Sequence, residues 1–217
     1  AFRIVTLTIS RFRTGIDLGG TKIEAIVLDG NGAEVFRHRI IAPQGNYNDT
    51  IEAIAYLVNR ADNEVSALTK LGIGIPGSLS PKTNLVRNAN STWLIGKPLK
   101  QDLEKILKRN VLIENDANCF AISEAFDGAG SRAHTVFGVI LGTGVGAGIV
   151  IGKKLHKGKN KIAGEWGHNP LPWANEGELP GKKCYCGRTG CLETFISGPA
   201  IEREFKNLDG RNFDMKN

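Results

Sequence analysis

One histidine and three cysteines, His168, Cys184, Cys186 and Cys191, have the types and spacing for a defined chemistry. Together they make a Cys3His set, which closes the tetrahedral shell of a structural zinc ion. The cysteines fall within one eight-residue window, Cys184 to Cys191, where Gly187 and Gly190 let a short loop wrap around a metal. The competing reading of these residues is a disulfide with a spare thiol. Glu165 precedes His168 by three residues and Glu193 follows Cys191 by two. A metal bound here would fix both carboxylates.

Two glycine-rich turns have the composition of phosphate cradles: Asp17-Leu18-Gly19-Gly20-Thr21-Lys22 and Leu141-Gly142-Thr143-Gly144-Val145-Gly146-Ala147-Gly148. Glycines let successive backbone N–H groups converge on an anion, and a threonine hydroxyl adds a donor. Asp17 could hold the Mg²⁺ that accompanies a nucleotide. Each turn alone is equally readable as an ordinary hairpin; two in equivalent places make the stronger case. No Walker string is present. Gly142-x-Gly144-x-x-Ala147 fits the relaxed dinucleotide pattern, but a strand rather than a helix is expected after it, which removes the Rossmann context.

Glu114-Asn115-Asp116-Ala117-Asn118 stands where a strand is expected to meet a helix. Asp116 suits an N-cap of that helix. It also suits a general base at a strand's carboxyl end, accepting a hydroxyl proton as that oxygen attacks phosphorus. Asn88, Asn90, Asn115, Glu165, His168 and Glu193 are polar groups able to bind vicinal hydroxyls. Trp93 reads as a core residue or as a cover for a sugar face, and Cys119 as a packed thiol.

These residues need positioning elements. Strands are expected over Thr14–Leu18, Lys22–Leu28 and Glu34–Ile41, the last two joined by the Asp29-Gly30-Asn31-Gly32 hairpin signal. Helical spacing runs from Asp49 to Val65, and Leu71–Ile75 reads as a buried strand. A helix over Leu99–Leu107, a strand over Val111–Glu114 and a helix over Ala117–Phe126 follow. Thr135–Leu141 and Val145–Ile151 read as strands and Pro199–Asn207 as a helix. The pattern is mixed α/β, with a domain boundary expected after residue 113 that separates 1–113 from 114–217.

The chain has 217 residues, 41% of them hydrophobic, and a formal net charge of +6. No apolar run reaches membrane-spanning length. The basic run from Lys153 to Lys161 lacks the interleaved aromatics of a base-stacking surface, so neither nucleic acid nor membrane is an expected partner. Zinc thiolates point to a reducing compartment, the cytoplasm.

The chain resembles the ROK family of sugar kinases from about Thr14 to Phe205. The resemblance lies in Gly15-Ile16-Asp17-Leu18-Gly19-Gly20-Thr21-Lys22, Gly74-Ile75-Pro76-Gly77, Glu114-Asn115-Asp116-Ala117-Asn118 and Gly142-Thr143-Gly144-Val145-Gly146-Ala147-Gly148. It continues in Ala163-Gly164-Glu165-Trp166-Gly167-His168 and Cys184-x-Cys186-Gly187-x-x-Gly190-Cys191-Leu192-Glu193. Asn88 to Leu94 and His168 to Trp173 look most like the bacterial fructokinase or manno(fructo)kinase branch, with N-acetylglucosamine kinase and glucokinase as alternatives.

The resemblance implies an actin/hexokinase-like ATPase fold with ribonuclease H-like halves and a zinc loop in the second. It implies transfer of the ATP γ-phosphate to a hexose hydroxyl, D-fructose or mannose giving the 6-phosphate. Asp116 would be the base; Asn90, Asn115, Glu165, His168 and Glu193 would hold the sugar. Asp17, Gly19, Gly20, Thr21 and Lys22, with Gly142, Thr143, Gly144 and Gly146, would cradle the phosphates. Zinc on His168, Cys184, Cys186 and Cys191 would be structural. The family often forms homodimers. It also contains sugar-responsive transcriptional regulators with an N-terminal helix-turn-helix, for which the residues before Asp17 leave no room. Residues 1–13 are unlike the family's short start and read as an extension. Lys161 stands where the family usually has glycine. Family members continue beyond Asn217, so a fragment lacking half of the nucleotide pocket, inactive alone, is expected.

Overall fold

The computed structural model describes residues 11–89 and 91–209. The extension expected over residues 1–13 lies largely outside the described residues, and so does Asn90. The chain forms two compact units that divide between Asp116 and Ala117, compared with the expected division after residue 113.

The first unit is built on strands β1 (Arg13–Leu18), β2 (Lys22–Leu28) and β3 (Glu34–Ile41), helix α1 (Tyr47–Glu64), and strand β4 (Lys70–Ile75). A hairpin of two-residue strands, β5 (Ser78–Leu79) and β6 (Val86–Arg87), comes next. Helix α2 (Leu99–Leu107) and strand β7 (Val111–Asn115) complete it. The sheet order is β3-β2-β1-β4-β7. The expected meander is its antiparallel half, while β1–β4 and β4–β7 pair in parallel. Parallel neighbours need long crossovers, which contain α1 and α2.

α1 starts at Tyr47 because Asn46, in extended conformation, caps it. The Asn46 side-chain oxygen accepts the N–H groups of Asn48 and Asp49 at 2.9 and 3.3 Å. From there Thr50, Ile51, Ile54, Ala55, Leu57, Val58 and Ala61 form one buried face. Its Ile51, Ile54, Leu57 and Val58 pack with Ile16, Leu18, Ile23, Ile73 and Leu103 in a single apolar cluster. A fully buried side chain such as Leu57 contributes about 1.5–3 kcal/mol there. Strand alternation therefore turns Asp17, Gly74 and Glu114 to the opposite face, where they are paired in one row.

Helix α3 (Asp116–Phe126) follows β7 with no intervening residue, so Asp116 is the first helical residue rather than a cap outside the helix. The second unit holds β8 (Thr135–Leu141), β9 (Val145–Ile151) and β10 (Lys154–Leu155), antiparallel in the order β10-β9-β8. α3 lies close against this sheet because Ala121 meets glycines: a Cβ on Gly138 or Gly148 would stand 2.8 or 2.6 Å from the Ala121 Cβ. Two helices, α4 (Glu193–Ile196) and α5 (Gly198–Asp209), end the described chain. No helix among the described residues is long and apolar enough to cross a membrane.

Candidate functional site

In the first unit the candidate residues collect at the carboxyl ends of the parallel strands. Asp17 pairs across β4 with Gly74, which pairs with Glu114, so the two acidic positions are two strand spacings apart, about 10 Å. Asp116 lies two residues beyond Glu114. The Asn115 side-chain NH₂ donates to Asp116 Oδ1 at 3.0 Å and to the Gly77 carbonyl at 3.2 Å. Asn115 thus orients the carboxylate and anchors it to the β4–β5 turn.

Asp17 sits directly opposite Glu24. Burial raises its pKa, the like charge of Glu24 adds to this, and Arg39 opposes it. A carboxyl held this way gains from a cation, which suits a magnesium ligand. Glu24 itself is pulled below the usual range, chiefly by its hydrogen bond from Arg37, with Arg39 also contributing. At the turn, the Gly19 N–H closes onto the Lys22 carbonyl at 3.0 Å, which takes that amide out of the expected phosphate cradle. Thr21 and Lys22 are exposed. Trp93 packs against the core cluster and its indole N–H donates to Thr50 Oγ1 at 3.1 Å, which makes it structural.

In the second unit, the ligand atoms of His168, Cys184, Cys186 and Cys191 lie within 4.8 Å of one another. Cys186 Sγ and Cys191 Sγ are 3.6 Å apart, and Cys184 Sγ is 3.5 Å from His168 Nδ1. A tetrahedron with zinc–sulfur bonds near 2.3 Å and zinc–nitrogen bonds near 2.0 Å has edges of about 3.8 and 3.5 Å. A disulfide needs sulfurs about 2.05 Å apart. All the cysteines are free thiols, and these residues fit zinc. The loop is shaped by the Cys184 N–H to Arg188 carbonyl bond, 2.8 Å, and by Gly187 at φ +88, a conformation that disfavours a Cβ.

Thiol basicity differs around the cluster. Burial pushes Cys184 up to about 12 and also raises Cys191. Burial pushes Cys186 upward too, but the Arg188 N–H and the neighbouring thiols outweigh it, leaving its pKa lowered.

Sequence reasoning missed Tyr185, whose hydroxyl is 3.1 Å from His168 Nε2, with the rings edge to face. It also missed Trp166, whose indole N–H donates to the Gly146 carbonyl at 3.2 Å. Neither contact has a spacing signal. The half-buried Glu165 precedes the short helix carrying His168. Glu193 is 8% exposed and committed: Oε2 accepts the Val145 N–H at 2.9 Å, and Oε1 faces the Cys184 thiol at 3.7 Å. In the Gly142-Thr143-Gly144 turn, the Gly142 N–H closes onto the Gly144 carbonyl at 3.0 Å, and Thr143 is exposed. Gly146 lies within β9, paired with Ile140. Thr143, Lys182, Lys183, Glu193 and Arg203 are among the residues lining a pocket of about 190 Å³ in this unit.

A protein-family model, described as the ROK family, matches residues 13–217. The chain belongs to the ROK family. It is 41% identical over 200 residues to N-acetyl-D-glucosamine kinase of Pectobacterium carotovorum, covering 90% of this chain and 66% of that protein. To the N-acetyl-D-glucosamine kinase of Haemophilus influenzae it is 37% identical over 210 residues, 93% of this chain and 68% of that one. The ROK hexokinase from Thermus thermophilus superposes with a TM-score of 0.75 at 30% identity, over 94% of this chain and 66% of the other. A ROK family glucokinase from Streptomyces griseus, solved with glucose and AMPPNP, gives 0.77 at 33% identity, over 92% and 62%. The fold is thus the actin/hexokinase-like ATPase fold of ROK hexokinases, and the chain spans about two thirds of the length of these relatives.

Lys161, where the resemblance to ROK proteins leads one to expect glycine, adopts φ +55, the left-handed region.

Proposed function

We propose that this ROK chain carries the catalytic base and phosphate turns of an ATP-dependent hexose kinase, with N-acetyl-D-glucosamine as the preferred sugar. The observation that carries the reading is the Asn115-held Asp116 carboxylate at the same strand ends as Asp17 and the Gly19-Gly20-Thr21 turn. Asp116 accepts the proton of the attacking sugar hydroxyl. Phosphoryl transfer needs chiefly that base, aligned oxygens and charge neutralisation. Asp17 is assigned the Mg²⁺ that neutralises phosphate charge, and the Gly20–Lys22 and Thr143–Gly144 segments the phosphates. Asn90, Asn115, Glu165, His168 and Glu193 are assigned to sugar hydroxyls. Zinc, when bound by His168, Cys184, Cys186 and Cys191, supplies structure, since protein fills all four positions.

The sugar follows the relatives rather than the loop strings that suggested D-fructose. Proteins named N-acetyl-D-glucosamine kinase share 41% and 37% identity with this chain. The deciding assay measures ADP release from Mg·ATP by the chain extended to its relatives' length, with N-acetyl-D-glucosamine, glucose, mannose and fructose. The highest kcat/KM is expected with N-acetyl-D-glucosamine; a higher value with fructose would return the assignment to the fructokinase branch. A ROK transcriptional regulator shares the fold at 20% identity and a TM-score of 0.74, which speaks to architecture alone.

A further inference from the structure

Ser91 carries a hydroxyl that the first unit leaves unused. The residue is 2% exposed, and its Oγ has no hydrogen-bond partner among the described residues. Ser91 stands just before a short helical turn, Thr92–Leu94, where a serine side chain ordinarily caps a backbone N–H. Here only the Ser91 carbonyl serves that turn, accepting the Leu94 N–H at 3.0 Å, and the side chain makes no cap. A buried polar group without a partner is rare in native structures and needs a reason.

The hydroxyl faces the first glycine turn: a Cβ on Gly20 would stand 3.7 Å from Ser91 Oγ. In that turn the Gly19 N–H is committed to the Lys22 carbonyl, the arrangement of a closed hairpin rather than of an anion cradle. A cradle gathers successive N–H groups onto the anion, so it needs the Gly19 amide released. Release changes the backbone angles of Gly19 and Gly20, which have no Cβ to oppose the change. A backbone carbonyl turned toward Ser91 in that step meets a donor already in place.

Ser91 itself is firmly held. Leu94 is fully buried, and the Trp93 indole bonds to Thr50 on α1. On the other side, Ala89 lies so closely on the β4–β5 turn that a Cβ on Gly77 would stand 3.0 Å from the Ala89 Cα. The Gly77 carbonyl is the one held by Asn115, so the segment leading to Ser91 packs on the turn that anchors the base.

We propose that Ser91 is a positioning residue for the first glycine turn: its hydroxyl bonds to the turn's backbone when Gly19 and Gly20 open onto phosphate, and so stabilises the anion-bound turn over the closed one. This deepens the kinase reading and rests on it for the identity of the anion. Ser91 acts through the turn, touches no substrate and forms no bond to phosphorus. Because its hydroxyl has a partner only in the open turn, it biases the equilibrium between the two forms by the strength of one hydrogen bond.

The test uses the chain extended to its relatives' length, with Mg·ATP as the probe. Calorimetry gives the affinity, amide hydrogen exchange over residues 19–22 follows the turn, and chemical denaturation gives the stability of the ligand-free chain. In Ser91→Ala the ligand-free denaturation midpoint should hold or rise, since no bond is broken and a buried orphan is removed. Mg·ATP affinity should nevertheless fall about fivefold, as for loss of one net hydrogen bond. The protection that Mg·ATP confers on residues 19–22 should shrink, while sugar affinity stays unchanged. Ser91→Cys, with a weak donor of similar shape, should lose affinity in the same direction by less, which decides the matter if Ser91→Ala fails to fold. Undiminished Mg·ATP affinity in Ser91→Ala overturns the proposal, and so does a lowered ligand-free midpoint, which would mean that the hydroxyl is already bonded in the closed form. If the unmutated chain does not bind Mg·ATP, the kinase reading falls and takes the proposal with it; if it binds and the variants match it, only the proposal falls.

Discussion

Asn115 donates to Asp116 Oδ1 at 3.0 Å and uses the same NH₂ to hold the Gly77 carbonyl, so one amide both aims the carboxylate and ties it to the β4–β5 turn. Adjacent side chains on a strand point to opposite faces. Here the strand gives way to α3 between them, and that junction lets the two side chains meet.

Asp116→Asn keeps the shape of this arrangement but removes the proton acceptor. Loss of a general base typically costs about 10²–10⁴-fold, so kcat should fall by that factor while sugar affinity changes little. Steady-state ADP release by the chain extended to its relatives' length, beside direct sugar binding, separates the two. Undiminished turnover would remove Asp116 as the base.

The Cys3His cluster should hold one zinc ion per chain, measurable by elemental analysis. Cys186→Ser removes the thiol with the lowered pKa and should reduce zinc affinity and the melting temperature together. Equal zinc content in the variant would contradict the ligand assignment.

Asp17 makes a pH-dependent contribution with a definite sign. Its folded pKa lies above its ordinary value of 3.8 because of desolvation and Glu24. The folded state therefore binds the extra proton, and stability is lost as pH rises from that value through the raised one. Asp17→Asn should be more stable than the unmutated chain at neutral pH, with the gap closing as pH falls below the ordinary value. Added Mg²⁺ should narrow the gap by stabilising the ionised carboxylate. Denaturant midpoints across pH, with and without Mg²⁺, test both points; a less stable Asn variant at neutral pH would refute the first.

Lys161 occupies a left-handed conformation, φ +55. A non-glycine residue pays about 1–2 kcal/mol there, while glycine adds unfolded-chain entropy that offsets about 0.4–1 kcal/mol. Lys161→Gly should therefore raise stability by about 0.5–1 kcal/mol, read from chemical denaturation. A drop in stability would mean that the lysine side chain makes a compensating contact.

Local patterns were legible wherever one face of an element is buried. Loose alternation located β2, and the 3.6-residue spacing of Ile51, Ile54, Leu57 and Val58 located α1. The hairpin β5–β6 and the short β10 were not anticipated, because two residues are too few to show a period. The parallel pairing of β1 with β4 was also invisible, since the partners are separated by the β2–β3 hairpin and α1. α3 packs through Ala117, Ala121 and Ala125, whose small side chains say little about what they face.

The order of residues along this chain determined its chemistry: three cysteines within eight positions, two glycine turns and an aspartate at a strand end are matters of type and spacing. Tertiary structure decided how those groups are used. It turned the Glu193 carboxylate onto the Val145 amide, placed Tyr185 on His168 Nε2, and committed the Gly19 and Gly142 amides to closing their own turns. The physical reason is that a buried donor must be satisfied by whatever acceptor the packing brings within about 3 Å, and sequence distance does not encode that proximity.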